Sequence, residues 1–237
     1  MASAKASSDV GVGIAHVFYN NMTGVGKGFF PEKANCLHIS VMFGREEMRM
    51  MNDEQLREIP FSSETIYEGH ILRVERWQVT CPNGHEAPRE IVLHNGAAAV
   101  VPVYEDGTTL LVRQHRVSVD RVTLEIPAGK LDHAGEDPYE CAVRELREET
   151  GLSAGKMTLL TSVLTTPGFC TEKIGIYLAQ ELLQGEMDLD EDEFLGLVRM
   201  PLDEACDLVM RGEIRDGKTI CGLLMAREVI RGQKEKA

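Results

Sequence analysis

The sequence predicts a mixed α/β sandwich, and three observations carry the prediction. Runs of strand-like alternation recur along the chain, one strongly marked helix interrupts them, and two further helical runs close the sequence. The apolar stretch AAAVVPV (97–103) adds that one strand is covered on both faces, because a strand with one wet face alternates instead. No internal repeat is present. A chain of 237 residues, 43% hydrophobic, can bury the core of one domain with a small appendage.

Residues 1–55 have no steady helical or strand period and include a methionine-rich patch, MFGREEMRMMNDE. They are expected to form a weakly ordered extension. A second reading is that residues 1–50 are not part of the native protein, since Met51 opens a run that looks like an ordinary start. Residues 56–95 are expected to form a small antiparallel β subdomain. In it ILRVERWQVT (71–80) and EIVLH (90–94) flank Pro82-Asn83-Gly84, and Asn-Gly between such runs is a strong hairpin signal. Residues 96–232 form the main domain. There AAAVVPVY (97–104) and TLLVRQHR (109–116) read as a second strand pair around Glu105-Asp106-Gly107. VTLEIP (122–127), a glycine-bearing loop, a helix, KMTLLTSVL (156–164) and KIGIYLAQEL (173–182) follow. An acidic loop, GEMDLDEDE (185–193), precedes FLGLVRM and helices over 202–212 and 218–230.

The formal net charge of -13 excludes a general nucleic-acid or anionic-membrane binder, since such partners need a basic surface that displaces counterions. An anionic substrate would need metal ions or local arginines to reverse that field. The six cysteines are scattered, with no C-x-x-C pair, so reduced thiols in a cytoplasm are the expected state. No apolar run approaches the roughly 18 residues of a membrane helix, and the N-terminus lacks a signal-peptide core.

The helix is written most clearly in EDPYECAVRELREETG (136–151). Asp137 can cap it, Pro138 suits its first position, Glu140 stands where a capping-box partner belongs, and Gly151 can take the left-handed terminating conformation. At about 100° per residue Glu145, Glu148 and Glu149 fall within an arc of about 100°. They are expected to flank a buried stripe of Tyr139, Ala142, Val143 and Leu146. A solvated face could carry such acids, helped by the i,i+4 pair Arg144 and Glu148 at about 0.2–0.5 kcal/mol, but Glu145 and Glu149 repel by a similar amount. A hard divalent cation removes the repulsion. Magnesium prefers carboxylate oxygens and takes waters and substrate phosphates as its other ligands, which points to metal-dependent phosphate chemistry.

The segment GKLDHAGEDPYECAVRELREETGL (129–152) resembles the signature of the Nudix hydrolases, G-x5-E-x7-R-E-U-x-E-E-x-G-U, with U aliphatic. Glu136, Arg144, Glu145, Leu146, Glu148, Glu149, Gly151 and Leu152 match. One departure is that six residues, not five, separate Gly129 from Glu136. The resemblance implies a three-layer α/β/α sandwich with a mixed sheet and hydrolysis of a nucleoside diphosphate linked to another group, by water attack on phosphorus with Mg²⁺, for which Mn²⁺ can substitute. It implies Glu145 and Glu149 as metal ligands, Glu148 beside them, the carbonyl of Ala128 as a further ligand, and Arg144 as the arginine that orients these acids through Glu136 or a neighbour.

Pro167, fifteen positions after Leu152, is similar to a proline found in the ADP-ribose pyrophosphatase branch. TTPGFCTEKI, YEGHILRV, REIVLHNGAAAVVPV, LVRQHR, EIPAGKL, DEDEF and EIRDGKTICGLLMA also resemble that branch, over roughly residues 62–228. This implies cleavage of ADP-ribose to AMP and ribose 5-phosphate. Tyr67 and Arg89 would stack on adenine across a homodimer that exchanges N-terminal strands, and Arg116 would contact phosphate with Arg113 sharing the task. The general base would be Glu191 or Glu193, with Glu172 as an alternative. Competing readings are hydrolysis of NADH, another nucleoside diphosphate sugar or an oxidised nucleotide, and a non-catalytic ADP-ribose sensor, which the intact glutamates oppose.

Overall fold

The computed structural model describes residues 52–189 and 194–235, all within a compact unit that runs from Met51 to Ala237. Expectations for residues 1–51, and for Glu191 and Glu193, fall outside the described residues. A single turn, α1 (Asp53–Leu56), is capped by Asn52 and leads into β1 (Ile59–Glu68), β2 (Leu72–Thr80) and β3 (Glu86–His94). These form an antiparallel sheet in the order β1-β2-β3, in which Tyr67 faces Val74 and Trp77 faces Arg89. Thus the small antiparallel sheet is present, and it has one strand more than the two sequence runs marked. β1 escaped notice because IPFSSETIYE has no apolar period; all ten of its residues are exposed.

The main domain contains β4 (Ala97–Pro102), β5 (Thr108–Arg116), a short 3-10 turn (Val117–Val119), β6 (Arg121–Glu125) and β7 (Ala128–Lys130). Then come α2 (Pro138–Thr150), β8 (Leu152–Leu164), β9 (Lys173–Gln184), β10 (Gly196–Pro201), α3 (Leu202–Met210) and α4 (Gly217–Lys234). One sheet is mixed, ordered β7-β4-β9-β8, with β4 and β9 parallel; the other, β10-β5-β6, is antiparallel. The expected pairing of 97–104 with 109–116 is therefore wrong. These runs are joined by the isolated bridge Val103–Thr109 and then part into different sheets. Both edges of β4 are already taken, by β7 and β9, and Pro102 has no N–H to offer a further ladder.

β4 sits in the middle of the domain, as its unbroken apolar run predicts: all six residues are buried. Ala98 and Val100 face a core with Cys141, Ala142, Leu146 and Leu152, contributed by α2 and the start of β8. Ala97, Ala99 and Val101 face the opposite way, into a core with Leu202, Ala205 and Cys206 of α3 and Leu223 and Ala226 of α4. The result is helix, sheet, helix, with α2 on one face of the mixed sheet and α3 and α4 on the other.

Candidate active site

α2 begins where its residues say it should. The Asp137 carboxylate accepts from Tyr139 N–H at 2.9 Å, Pro138 fills the first turn, and Gly151 closes the helix at φ 70°, where a side chain would be strained. The reciprocal bond expected from Glu140 is not formed among the described residues, and Glu140 is exposed. The buried face also differs from expectation. Cys141, Ala142, Glu145, Leu146, Glu149 and Thr150 are buried, whereas Tyr139 and Val143 are 46% and 43% exposed. The helix is rolled so that two glutamates lie within the buried face instead of flanking it, because that face meets the edge strand β7 as well as β4, β9 and β8.

Two backbone features make room for these acids. A side chain at Gly129 would place its Cβ 2.0 Å from the Glu145 carboxylate, so only glycine lets that carboxylate rest against the strand. One residue earlier, the Ala128 N–H donates to Glu149 Oε2 at 2.9 Å. Arg144 holds the cluster from the other side. Its Nη1 donates to Glu145 at 2.7 Å and Glu148 at 3.2 Å, while Nη2 lies 3.6 Å from Glu136 and 3.5 Å from Asp132. Burial opposes the arginine's charge, but Glu145, Asp132 and Glu148 together hold it firmly protonated. Glu136 also accepts from Asp132 N–H at 2.5 Å, tying down the loop that carries the extra residue.

These acids form one wall of a cleft of about 1290 Å³. Ala128, Gly129, Arg144, Glu145, Glu148 and Glu149 line it on that side. Arg116, Lys218, His94 and Glu172 line it elsewhere. Arg116 grips Glu125 with Nε at 2.9 Å and Nη2 at 2.8 Å, and the same carboxylate accepts from Thr123 at 2.6 Å and from Lys218. Burial pushes the Glu125 carboxyl up, yet these donors outweigh it and lower it to about 2. Sequence reading missed Glu125, Asp216, Lys218 and His94 as cleft groups. The run VTLEIP did carry a hint, an acid flanked by apolar residues in a strand.

The structure thus gathers Arg144, Glu145, Glu148, Glu149, Ala128 and Arg116 around one cleft. It does not bring Arg113, Tyr67 or Arg89 there. Arg113 projects from the other face of β5 into a smaller recess with Arg121, Arg211 and Arg215, because residues three apart on a strand point oppositely. Tyr67 is 58% exposed on β1, and Arg89 is engaged by Glu58 on the outer sheet; neither lines the cleft. Glu172 does line it, with its carboxylate 3.6 Å from His94 Nδ1.

A model of the NUDIX domain matches residues 93–223, a span that contains both the cleft wall and the acid-bearing helix. The chain belongs to the NUDIX family. An ADP-ribose pyrophosphatase of Bacillus subtilis (strain 168) is 40% identical over 185 residues, 76% of this chain and 100% of the relative. A methanol dehydrogenase activator of Bacillus methanolicus is 41% identical over 160 residues, covering 67% and 86%. The crystal structure of an ADP compounds hydrolase superposes with a TM-score of 0.67 at 30% identity, covering 75% of this chain and 96% of that one. This protein is accordingly a NUDIX hydrolase.

NUDIX hydrolases generally work with divalent metal ions, and the donor set here can be tested against one. The cleft wall offers carboxylate oxygens, the donors that hard divalent cations select, and Gly129 leaves the Glu145 carboxylate space against the backbone. As the side chains stand, no group of three or more His, Cys, Asp or Glu among the described residues is arranged to hold a metal. Arg144 Nη1 occupies the position between Glu145 and Glu148. A hard divalent cation such as Mg²⁺ needs only one or two carboxylates and completes its shell with water and substrate phosphate, and Glu145, Glu148 and Glu149 would be its holders here.

Proposed function

We propose that this NUDIX hydrolase cleaves the pyrophosphate of ADP-ribose, giving AMP and ribose 5-phosphate, with Mg²⁺ bound at Glu145, Glu148, Glu149 and the Ala128 carbonyl. The observation that carries the reading is the pairing of an acid-rich wall with Arg116 and Lys218 in one cleft, in a chain whose relatives include a named ADP-ribose pyrophosphatase. A bound Mg²⁺ would neutralise pyrophosphate charge and lower the pKa of a coordinated water. The chain's own residues do the rest. Arg116 docks the diphosphate, Arg144 keeps Glu145 and Glu148 aimed at one point, and the Ala128 N–H fixes Glu149. Glu191 or Glu193 takes the proton from the attacking water, with Glu172 on the cleft wall as the alternative base.

The same reading makes the protein a homodimer in a reducing cytoplasm. Phe61, Ile66 and Tyr67 of β1 are 53%, 50% and 58% exposed, an apolar surface that a second copy would cover. Exchange of N-terminal strands would carry Tyr67 and Arg89 to the partner's adenine, with Arg89 released from Glu58. All five described cysteines are free, and no described helix is long and apolar enough to cross a membrane.

The test is a Mg²⁺-dependent hydrolysis screen over ADP-ribose, NADH, ADP-glucose, diadenosine polyphosphates and 8-oxo-dGTP. ADP-ribose should rank among the best substrates by kcat/KM; a low rank rejects the specificity. In Glu149→Gln, kcat should collapse by at least about 100-fold while the thermal midpoint barely moves. Sedimentation should give twice the chain mass, and Tyr67→Ser should raise KM for ADP-ribose.

A further inference from the structure

The cleft holds a second set of interacting charges that the signature does not include. Glu125, at the end of β6, is 2% exposed and accepts from three side chains: Arg116 of β5, Thr123 two residues before it, and Lys218 in the first turn of α4. Lys218 is itself shared, donating also to Asp216 at 3.0 Å, and Asp216 caps α4 through Thr219 N–H at 3.0 Å. Two acids and two bases thus form a charge-balanced group. A buried carboxylate that merely packed would be a poor choice here, since an apolar residue of the same volume is often as stable or more so.

The geometry of the arginine shows what the acid can do. Glu125 takes the Nε and Nη2 edge of the Arg116 guanidinium, a bidentate grip that fixes the plane of the group. Among the described residues nothing accepts from Nη1, and Arg116 lines the cleft with its side chain 40% exposed. Unrestrained, an arginine loses rotamer entropy when it is ordered by a ligand. One already held by a carboxylate loses less at the moment of binding.

We propose that Glu125 is a positioning residue for the hydrolysis: clamped by Lys218 and Thr123, it holds Arg116 with its Nη1 edge turned to the diphosphate of the substrate. Glu125 itself touches no substrate. The inference rests on Arg116 as the diphosphate ligand in the proposed function, but it does not require that ADP-ribose be the substrate.

A double-mutant cycle of Glu125→Gln with Arg116→Ala, run on whichever pyrophosphate-linked substrate the wild type cleaves best, separates positioning from packing. Glu125→Gln alone should lower kcat/KM about 10- to 100-fold, as befits loss of a charge-assisted pair. Added to Arg116→Ala it should change kcat/KM by less than about twofold, because the group it positions is gone. Independent, multiplicative losses in the double variant overturn the proposal, as does an unaltered kcat/KM in the single one. If Glu125→Gln does not fold, Thr123→Val, which removes one hydrogen bond to the same carboxylate, takes its place in the cycle. Failure of the ADP-ribose reading would show instead as a wild type that ignores ADP-ribose while cleaving another substrate.

Discussion

Arg144 donates to Glu145, its immediate neighbour in the chain, at 2.7 Å. Adjacent helical residues do not normally face each other, so the contact requires the arginine to bend back along the helix to where Glu148 also waits at 3.2 Å. From there it can support the carboxylates electrostatically. Arg144→Gln should reduce activity about 10- to 100-fold and raise the Mg²⁺ concentration needed for half-maximal rate. Measuring rate against Mg²⁺ for both proteins checks this, and an unshifted metal dependence would remove Arg144 from the support of the site.

Gly129 offers a sharper steric test. Its alanine variant would put a methyl group 2.0 Å from the Glu145 carboxylate, and either the strand or the glutamate must move. The clashing atoms are the far end of a side chain, so the fold should hold, whereas displacement of the carboxylate from the wall should depress kcat by at least about 100-fold. Chemical denaturation and steady-state rates on Gly129→Ala measure the two effects separately.

The Glu125 cluster predicts how stability changes with pH. Its carboxyl is depressed in the folded protein, from an ordinary value of 4.5 to about 2. A depressed acid adds stability that is complete above the unfolded value and disappears as pH falls through the folded one. At about 1.4 kcal/mol per unit the contribution is about 3 kcal/mol. The wild type's advantage over Glu125→Gln in unfolding free energy should therefore be constant near neutrality, shrink below about pH 5, and vanish towards pH 2. Urea unfolding of both proteins across this range provides the measurement, and a gap that stays constant to pH 2 contradicts it.

Cys141 lies on the same buried face as Glu145, and burial, aided by the Glu145 charge, pushes its thiol up to about 12. At pH 8 only about one part in ten thousand would be thiolate. Alkylation with iodoacetamide under native conditions, followed by peptide mass mapping, should leave Cys141 and the equally buried Cys206 unmodified, and both should react once the protein is unfolded.

Much of this architecture was legible in the residues. α2 carries its own boundaries in Asp137, Pro138 and Gly151, and the placement of β4 between two helical layers follows from a run with no polar position. Local pattern could not say which edge of β4 meets which partner, so the β4–β5 pair was misjudged. Nor could it fix the roll of α2, since a helical wheel gives the angle between Glu145 and Val143 but not which of them meets β7. The Glu125–Lys218 contact spans 93 positions and joins two elements that no short motif links. Arg113 was grouped with Arg116 because both lie in LVRQHR, although strand alternation sends them to opposite faces.

The parallel ladder between β4 and β9 has a cost during synthesis. β4 is complete at Pro102, but its partner is finished only at Gln184, 82 residues later. At about 5–20 residues per second, an entirely apolar strand stays without its central hydrogen-bonding neighbour for roughly 4–16 s. Throughout that interval the nascent chain presents an open, hydrophobic edge, the feature most prone to capture by another chain or a chaperone.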